Sequence, residues 1–120
     1  MNVVNKIISL QLLNREISEL MEKDIVLCLG HFNVIHPGHL RFLQYARQQG
    51  KQLVVAVLGD KLLNSKLHYF NQEERAASVA ALHDVDWVIV LDQISLKDVI
   101  RQLKPEVYVM GKEFEEHRDD

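Results

Sequence analysis

The sequence has one cysteine, two prolines and no excess of positive charge. Each shortage excludes something. A lone Cys28 cannot form an intrachain disulfide, and a reducing compartment, the cytoplasm, is the natural setting for it. The longest apolar runs, 53–58 and 87–91, fall far short of the roughly 20 residues that a bilayer-spanning helix needs, so no membrane partner is expected. The N-terminus (Met1-Asn2-Val3-Val4-Asn5-Lys6) lacks the layout of a signal peptide. Lys plus Arg number 14 against 17 Asp plus Glu, a net charge of −3. Whole-surface binding of nucleic acid is therefore disfavoured, although a locally positive pocket is not. Internal repeats, linkers and low-complexity tracts are missing. So are a Walker phosphate loop and a Gly-x-Gly-x-x-Gly, which removes the usual signatures of kinases and dehydrogenases.

What is present is an ordinary globular composition, 48% hydrophobic and 26% charged over 120 residues. That is enough chain for one compact domain, 1–120. Leu10, Leu13, Ile17, Leu20 and Met21 recur at helical spacing with Arg15, Glu16 and Glu19 between them, predicting an amphipathic helix over about 9–22. Residues 25–29 are a continuous apolar run ending at Gly30, the pattern of a parallel strand buried on both faces. A helix is expected from Pro37 to about Gln49, with proline in its first turn and Gly50 just past its end. A strand at 52–58 ends at Gly59-Asp60. Residues 61–70 read as loop with at most a helical turn. Asn71 is placed to cap a helix to about Leu82, with Glu73 and Glu74 where the helix dipole favours them. A strand at 86–91, a helix capped by Ser95 and stopped by Pro105, and a strand at 106–110 complete the chain.

Strands alternating with helices predict an α/β fold, a Rossmann-like parallel sheet with helices on both faces. Ligands of such sheets bind beyond the carboxyl ends of the strands, where strand order reverses. Three strands end there in small or polar residues: Gly30-His31, Gly59-Asp60 and Gly111-Lys112. The first is the richest, running Gly30-His31-Phe32-Asn33-Val34-Ile35-His36-Pro37-Gly38-His39. His36 and His39 stand three apart across a helix start, so both rings can face one side. Gly38 between them leaves room for a bulky anion, and the first-turn amides and the dipole point to the same place. The segment reads as an anion site with two adjustable donors. A nucleotide α-phosphate under attack would use it, because nucleotidyl transfer needs reactants positioned and spreading charge stabilised. An attacking phosphate monoester is already largely ionised at pH 7, so no catalytic carboxylate is required.

The stretch Gly30-x-Phe32-Asn33-x-x-His36-x-Gly38-His39 resembles the Gly-x-Phe-Asp-x-x-His-x-Gly-His signature of the cytidylyltransferase-like nucleotidyltransferases. The resemblance continues through Leu43-x-x-Ala46, Gly50-x-x-Leu53-Val54-Val55-Ala56-Val57, Asp60, Glu74-Arg75, Val85-Asp86-x-Val88 and Lys104-Pro105-x-Val107-x-Val109-x-Gly111. In layout the chain is similar to glycerol-3-phosphate cytidylyltransferases and heptose-phosphate adenylyltransferase domains. The resemblance implies transfer of CMP or AMP from CTP or ATP to a phosphorylated sugar or polyol, with release of pyrophosphate. It implies His36, His39 and Lys66 as catalytic groups. It implies Gly30, His31, Phe32, Asn33, Gly38, Arg75 and Gly111 as the nucleotide-binding set. Mg²⁺ would accompany the triphosphate. Family members are commonly homodimers, which nothing in this chain independently demands.

There are departures from the pattern. Asn33 stands where Asp is usual, and Lys112 where many relatives have Gly or Asp. Residues 61–70 are short for a heptose enzyme, and the family's later Ser/Thr-rich phosphate-binding segment is not in the chain. A non-catalytic or truncated nucleotide-binding module of a larger protein is therefore the alternative. A further one is an adenylyltransferase acting on a nicotinamide or pantetheine phosphate. A zinc site from His36, His39 and Cys28 or His31 would put Cys28 inside a strand and lacks a completing carboxylate, so no metal ligands are assigned. Cys28 reads as a small buried hydrophobe. His68, His83 and His117 read as surface or helix-end residues, and 113–120 as a solvated terminus.

Overall fold

A computed structural model describes residues 6–18, 24–62 and 70–110. The elements run α1 (Leu10–Ser18), β1 (Ile25–Gly30), α2 (Pro37–Arg47), β2 (Gln52–Leu58), α3 (Gln72–Ala80), β3 (Trp87–Leu91), α4 (Leu96–Leu103) and β4 (Val107–Met110). The four strands form one parallel sheet in the order β3-β2-β1-β4. This is the α/β Rossmann-like arrangement that the alternation of apolar runs predicts.

The layering follows from the period of two along each strand. Val26 and Cys28 of β1, Val55 and Val57 of β2 and Val88 of β3 face Leu43 and Ala46 of α2 and Ala76, Val79 and Ala80 of α3. The alternate residues Ile25, Leu27, Val54, Ala56, Ile89 and Leu91 face Leu10 and Leu13 of α1 and Val99 and Leu103 of α4. All six residues of β1 are buried, because it is covered on both faces and paired on both edges. That is why its sequence is apolar without alternation.

The helix starts follow their capping residues. Asn71 and Glu74 form a reciprocal capping box, with Glu74 N donating to Asn71 Oδ1 at 2.8 Å and Asn71 N donating to Glu74 Oε1 at 3.1 Å. Ser95 Oγ accepts from Asp98 N at 3.1 Å. α4 closes on Lys104 in the left-handed region (φ 51°), and Pro105 prevents its continuation. The α1 reading of 9–22 is met over Leu10–Ser18, and 19–23 lie outside the described residues. Residues 60–62 form a short 3₁₀ turn. Asp86, expected within β3, precedes it; its carboxylate accepts from Leu53 N at 2.8 Å and pairs with Arg47 at 3.2 Å. No helix among the described residues is long and apolar enough to cross a membrane.

Chain order and sheet order together fix where a ligand fits. From β1 the chain steps outward to β2 and β3 through α2 and α3 on one face. α4 then returns across the other face to set β4 on the far side of β1. The order reverses at β1, so the crevice opens beyond its carboxyl end, between β1 and β4.

The sole thiol is sealed in this core. Burial pushes Cys28 from the ordinary 9.0 up to about 12. Tyr108, whose hydroxyl is buried without a partner among the described residues, is raised too, by burial and then by Cys28. Both groups hold their protons in the folded chain at a pH where the unfolded chain releases them. For Cys28 the contribution to stability is complete below about pH 9 and is lost as pH rises toward 12, and Tyr108 acts in the same direction. Denaturation followed by pH is expected to show that alkaline loss, and Cys28→Ala to make it shallower. Unchanged slopes in Cys28→Ala would refute the assignment.

Candidate functional site

The site begins where β1 ends. A methyl group added to Gly30 would lie 2.4–2.9 Å from three atoms of the Phe32 ring, so the ring rests directly on the Gly30 backbone. Phe32 reaches that position by adopting φ 53°, the left-handed region. For a residue with a Cβ this costs on the order of 1–2 kcal/mol. Burial of the ring, which is 3% exposed, offsets it. The buried Phe32 ring in turn sits 5.6 Å from the His39 ring, tilted by 50°.

His36 is the N-cap of α2, in extended conformation with φ −131° and ψ 173°. Pro37 follows at the first helical position, where its lack of an N–H costs nothing. The cap is unusual in being built from two imidazoles. Gly38 N donates to His36 Nδ1 at 3.0 Å, and His36 N donates to His39 Nδ1 at 3.2 Å. The rings lie 4.0 Å apart between centroids, tilted by 44°. A methyl on Gly38 would come within 2.8 Å of His36 Cε1, so glycine is what lets the ring fold over the helix start.

This geometry assigns the protons. A backbone N–H can donate only to an unprotonated nitrogen, so Nδ1 of each ring is an acceptor. In the neutral ring the proton then sits on Nε2. Each histidine therefore uses Nδ1 to hold the helix start and carries its proton on the other nitrogen.

The structure corrects one expectation here. The first-turn amides of α2 are already engaged. Pro37 has no N–H, Gly38 N is held by His36 Nδ1, and His39 N and Leu40 N donate to His36 O at 2.9 and 3.2 Å. An anion at this helix start meets imidazole N–H groups and the dipole, and the main chain keeps its own hydrogen bonds.

Gly30, His31, Phe32, Asn33, His36, Gly38 and His39 thus stand together on one loop and helix start beyond β1. Arg75 is nearby but turned away from solvent. It is 1% exposed, and its guanidinium donates to main-chain carbonyls and to Asp60. It lines a cleft of about 150 Å³ with Phe32, Asn33, Val34, Phe70 and Ser78. Lys66 and Gly111 lie outside the described residues, as do His68 and His117. β4 ends at Met110, paired with Leu29 one residue before the end of β1. Larger clefts, of about 410 Å³, lie away from His36 and His39, one beside Ile7–Gln11 and one around Trp87 and His83.

Sequence reasoning missed two features. One is the mutual cap of the histidines. The other is the pairing of the buried Arg75 with the part-exposed Asp60, at 2.9 Å. A signal for the second was available: Arg75 is four residues before Val79, on the apolar face of α3, where a charge needs a partner.

Comparison with known proteins gives four matches. A family model described as cytidylyltransferase-like matches residues 27–118. Over 94 residues the chain is 37% identical to the bifunctional protein HldE of Nitrosococcus oceani, covering 75% of this chain and 20% of that protein. Over 96 residues it is 35% identical to the FAD synthase of Archaeoglobus profundus, covering 79% of this chain and 61% of that one. Among solved structures, a lipopolysaccharide core biosynthesis protein from Thermoplasma volcanium superposes with a TM-score of 0.65 at 28% identity, covering 70% of each chain. The chain thus spans about a fifth of the HldE relative and three-fifths of the FAD synthase.

Proposed function

The chain belongs to the cytidylyltransferase-like family, and from that premise we propose that it carries the nucleotide-activating site of a nucleotidyltransferase. CTP or ATP lies over Gly30–His39, and a phosphorylated sugar or polyol is the acceptor. A monoester oxygen of the acceptor attacks the α-phosphorus. The bond from that phosphorus to the β-phosphate oxygen breaks, pyrophosphate leaves, and a phosphoanhydride joins acceptor and nucleotide. The observation that carries this reading is the mutual cap of His36 and His39, which sets two imidazoles at the end of β1 with Nε2 as their donor nitrogen. Such donors stabilise charge that grows on the α-phosphate oxygens and on the departing pyrophosphate. The acceptor is ionised near neutral pH, so neither histidine has to remove a proton from it.

The FAD synthase similarity supports the adenylyl form of the reaction. FAD itself contains an AMP unit joined by a phosphoanhydride to a second phosphate. A cytoplasmic setting fits the single buried thiol.

Mg²⁺ is the ion we assign to the triphosphate. Among the described residues no three His, Cys, Asp or Glu side chains converge on one point, so they offer no cage for it. Mg²⁺ usually keeps several waters and binds through substrate phosphates, and that is the arrangement expected here.

Pyrophosphate release is the direct test. CTP and ATP are each offered with a panel of sugar phosphates, polyol phosphates, FMN, and nicotinamide and pantetheine phosphates. Turnover with one pair, product matching pyrophosphate mole for mole, is the expected result. One observation favours a second reading, a nucleotide-binding module without turnover: Asn33 stands where the resembled signature has Asp. Calorimetric binding of a triphosphate with no pyrophosphate from any pair would establish the module, and no binding at all would defeat both.

A further inference from the structure

We infer that Arg75 is a positioning residue: it sets the peptide between His31 and Phe32, and through it the histidine pair, without touching nucleotide. This rests on the nucleotidyltransferase reading for its meaning, though not for its measurement.

The side chain of Arg75 is fully buried. Four of its five N–H donors are engaged, and the acceptors come from three separate segments at one edge of the sheet. Nη1 donates to His31 O at 2.9 Å, just past β1, and to Leu58 O at 2.6 Å, at the end of β2. Nε donates to Phe70 O at 3.0 Å, ahead of α3. Nη2 donates to Asp60 Oδ1 at 2.9 Å. The planar fork is what allows one head group to serve acceptors in several directions. Hydrogen bonds from a charged donor are stronger than those from a neutral amide.

The bond to His31 carries the functional weight. The His31 carbonyl and the Phe32 amide are two ends of one rigid peptide plane. Fixing that plane fixes one side of the N–Cα bond about which Phe32 takes its left-handed φ of 53°. Phe32 then lies on Gly30 and next to His39, and His39 Nδ1 accepts from His36 N. The chain of contact from guanidinium to cap is continuous. A strained φ persists only when its surroundings determine it, and Arg75 is the determining partner on the upstream side.

The test is Arg75→Lys in the full chain, read first by ¹⁵N spectra of the histidine rings. A lysine keeps the charge and loses the fork. In the parent chain His36 and His39 should each show one tautomer, with Nδ1 unprotonated. In Arg75→Lys both should show mixed tautomers or exchange broadening, while His83, remote from the network, is unchanged. In turnover, kcat is expected to fall by roughly 10- to 100-fold, as for a misplacement of about 1 Å, while KM for the nucleotide moves by less than about threefold. Unchanged ring spectra in a folded variant, together with nucleotide affinity weakened tenfold or more, would make Arg75 a direct ligand and overturn the inference. If Arg75→Lys does not fold, Asp60→Asn decides: broadening confined to His36 and His39 supports the inference, and parent-like spectra overturn it. The ring spectra need no turnover, so a failure of the nucleotidyltransferase reading would show separately, in the pyrophosphate assay.

Discussion

His36→Asn should fold as well as the parent chain and be almost inactive, whereas His36→Gln should be less stable and keep part of its activity. The reason lies in the two nitrogens. Asparagine places its Oδ1 near the position of Nδ1, so it can still accept from Gly38 N, and asparagine is among the best N-cap residues. It has nothing at Nε2. Glutamine reaches the Nε2 position with an N–H and forfeits the short cap, at a cost of about 1 kcal/mol. Loss of a transition-state donor is expected to lower kcat by roughly 10²–10³-fold. His39→Ala should lose rate to a similar degree, and it also removes the acceptor for His36 N. Melting curves and steady-state kinetics on the same four proteins make the comparison. A His36→Asn variant with half the parent kcat would show that the ring serves only as a cap, and the proposed chemistry would fall with it.

Gly30→Ala is expected to damage the site from below. Its methyl would stand within 3.0 Å of three Phe32 ring atoms, closer than carbon atoms approach, so the ring must leave its seat. Overpacking of this kind costs typically 1–3 kcal/mol. The displaced ring can no longer support His39, 5.6 Å away, and kcat/KM should fall by roughly 10²-fold. Gly30→Ala with Phe32→Leu relieves the crowding and should regain stability before it regains rate. Full activity in Gly30→Ala would mean that the ring does not hold the histidines.

Much of this was legible before any coordinates. A strand buried on both faces must be apolar throughout, and 25–30 is. Helix starts are chosen by side chains that satisfy free amides, and Asn71 and Ser95 do so as their types predict. The ordered glycine, aromatic and two histidines located the site because each answers a local steric or donor requirement. What escaped depends on residues far apart in sequence. Arg75 meets His31 across 44 positions and Leu58 across 17, and no local pattern encodes that meeting. The state of the first-turn amides escapes for a related reason: the motif shows an imidazole as a ligand donor and does not show that its other nitrogen completes the helix start.

The sheet order also has a consequence in time. β1, β2 and β3 follow one another in the chain and can pair as soon as each is made. β4 must come back across the sheet to reach β1, and the bond from Ile25 N to Glu106 Oε2, 2.6 Å long, joins residues 81 apart. Closure over so long a separation is slow. Until it happens, β1, buried along its whole length in the finished fold, has one edge unpaired, which is the condition under which chains associate wrongly. The crevice at the reversal of strand order does not exist before that closure. Any ligand held between β1 and β4 therefore depends on a strand pairing that joins residues 81 apart.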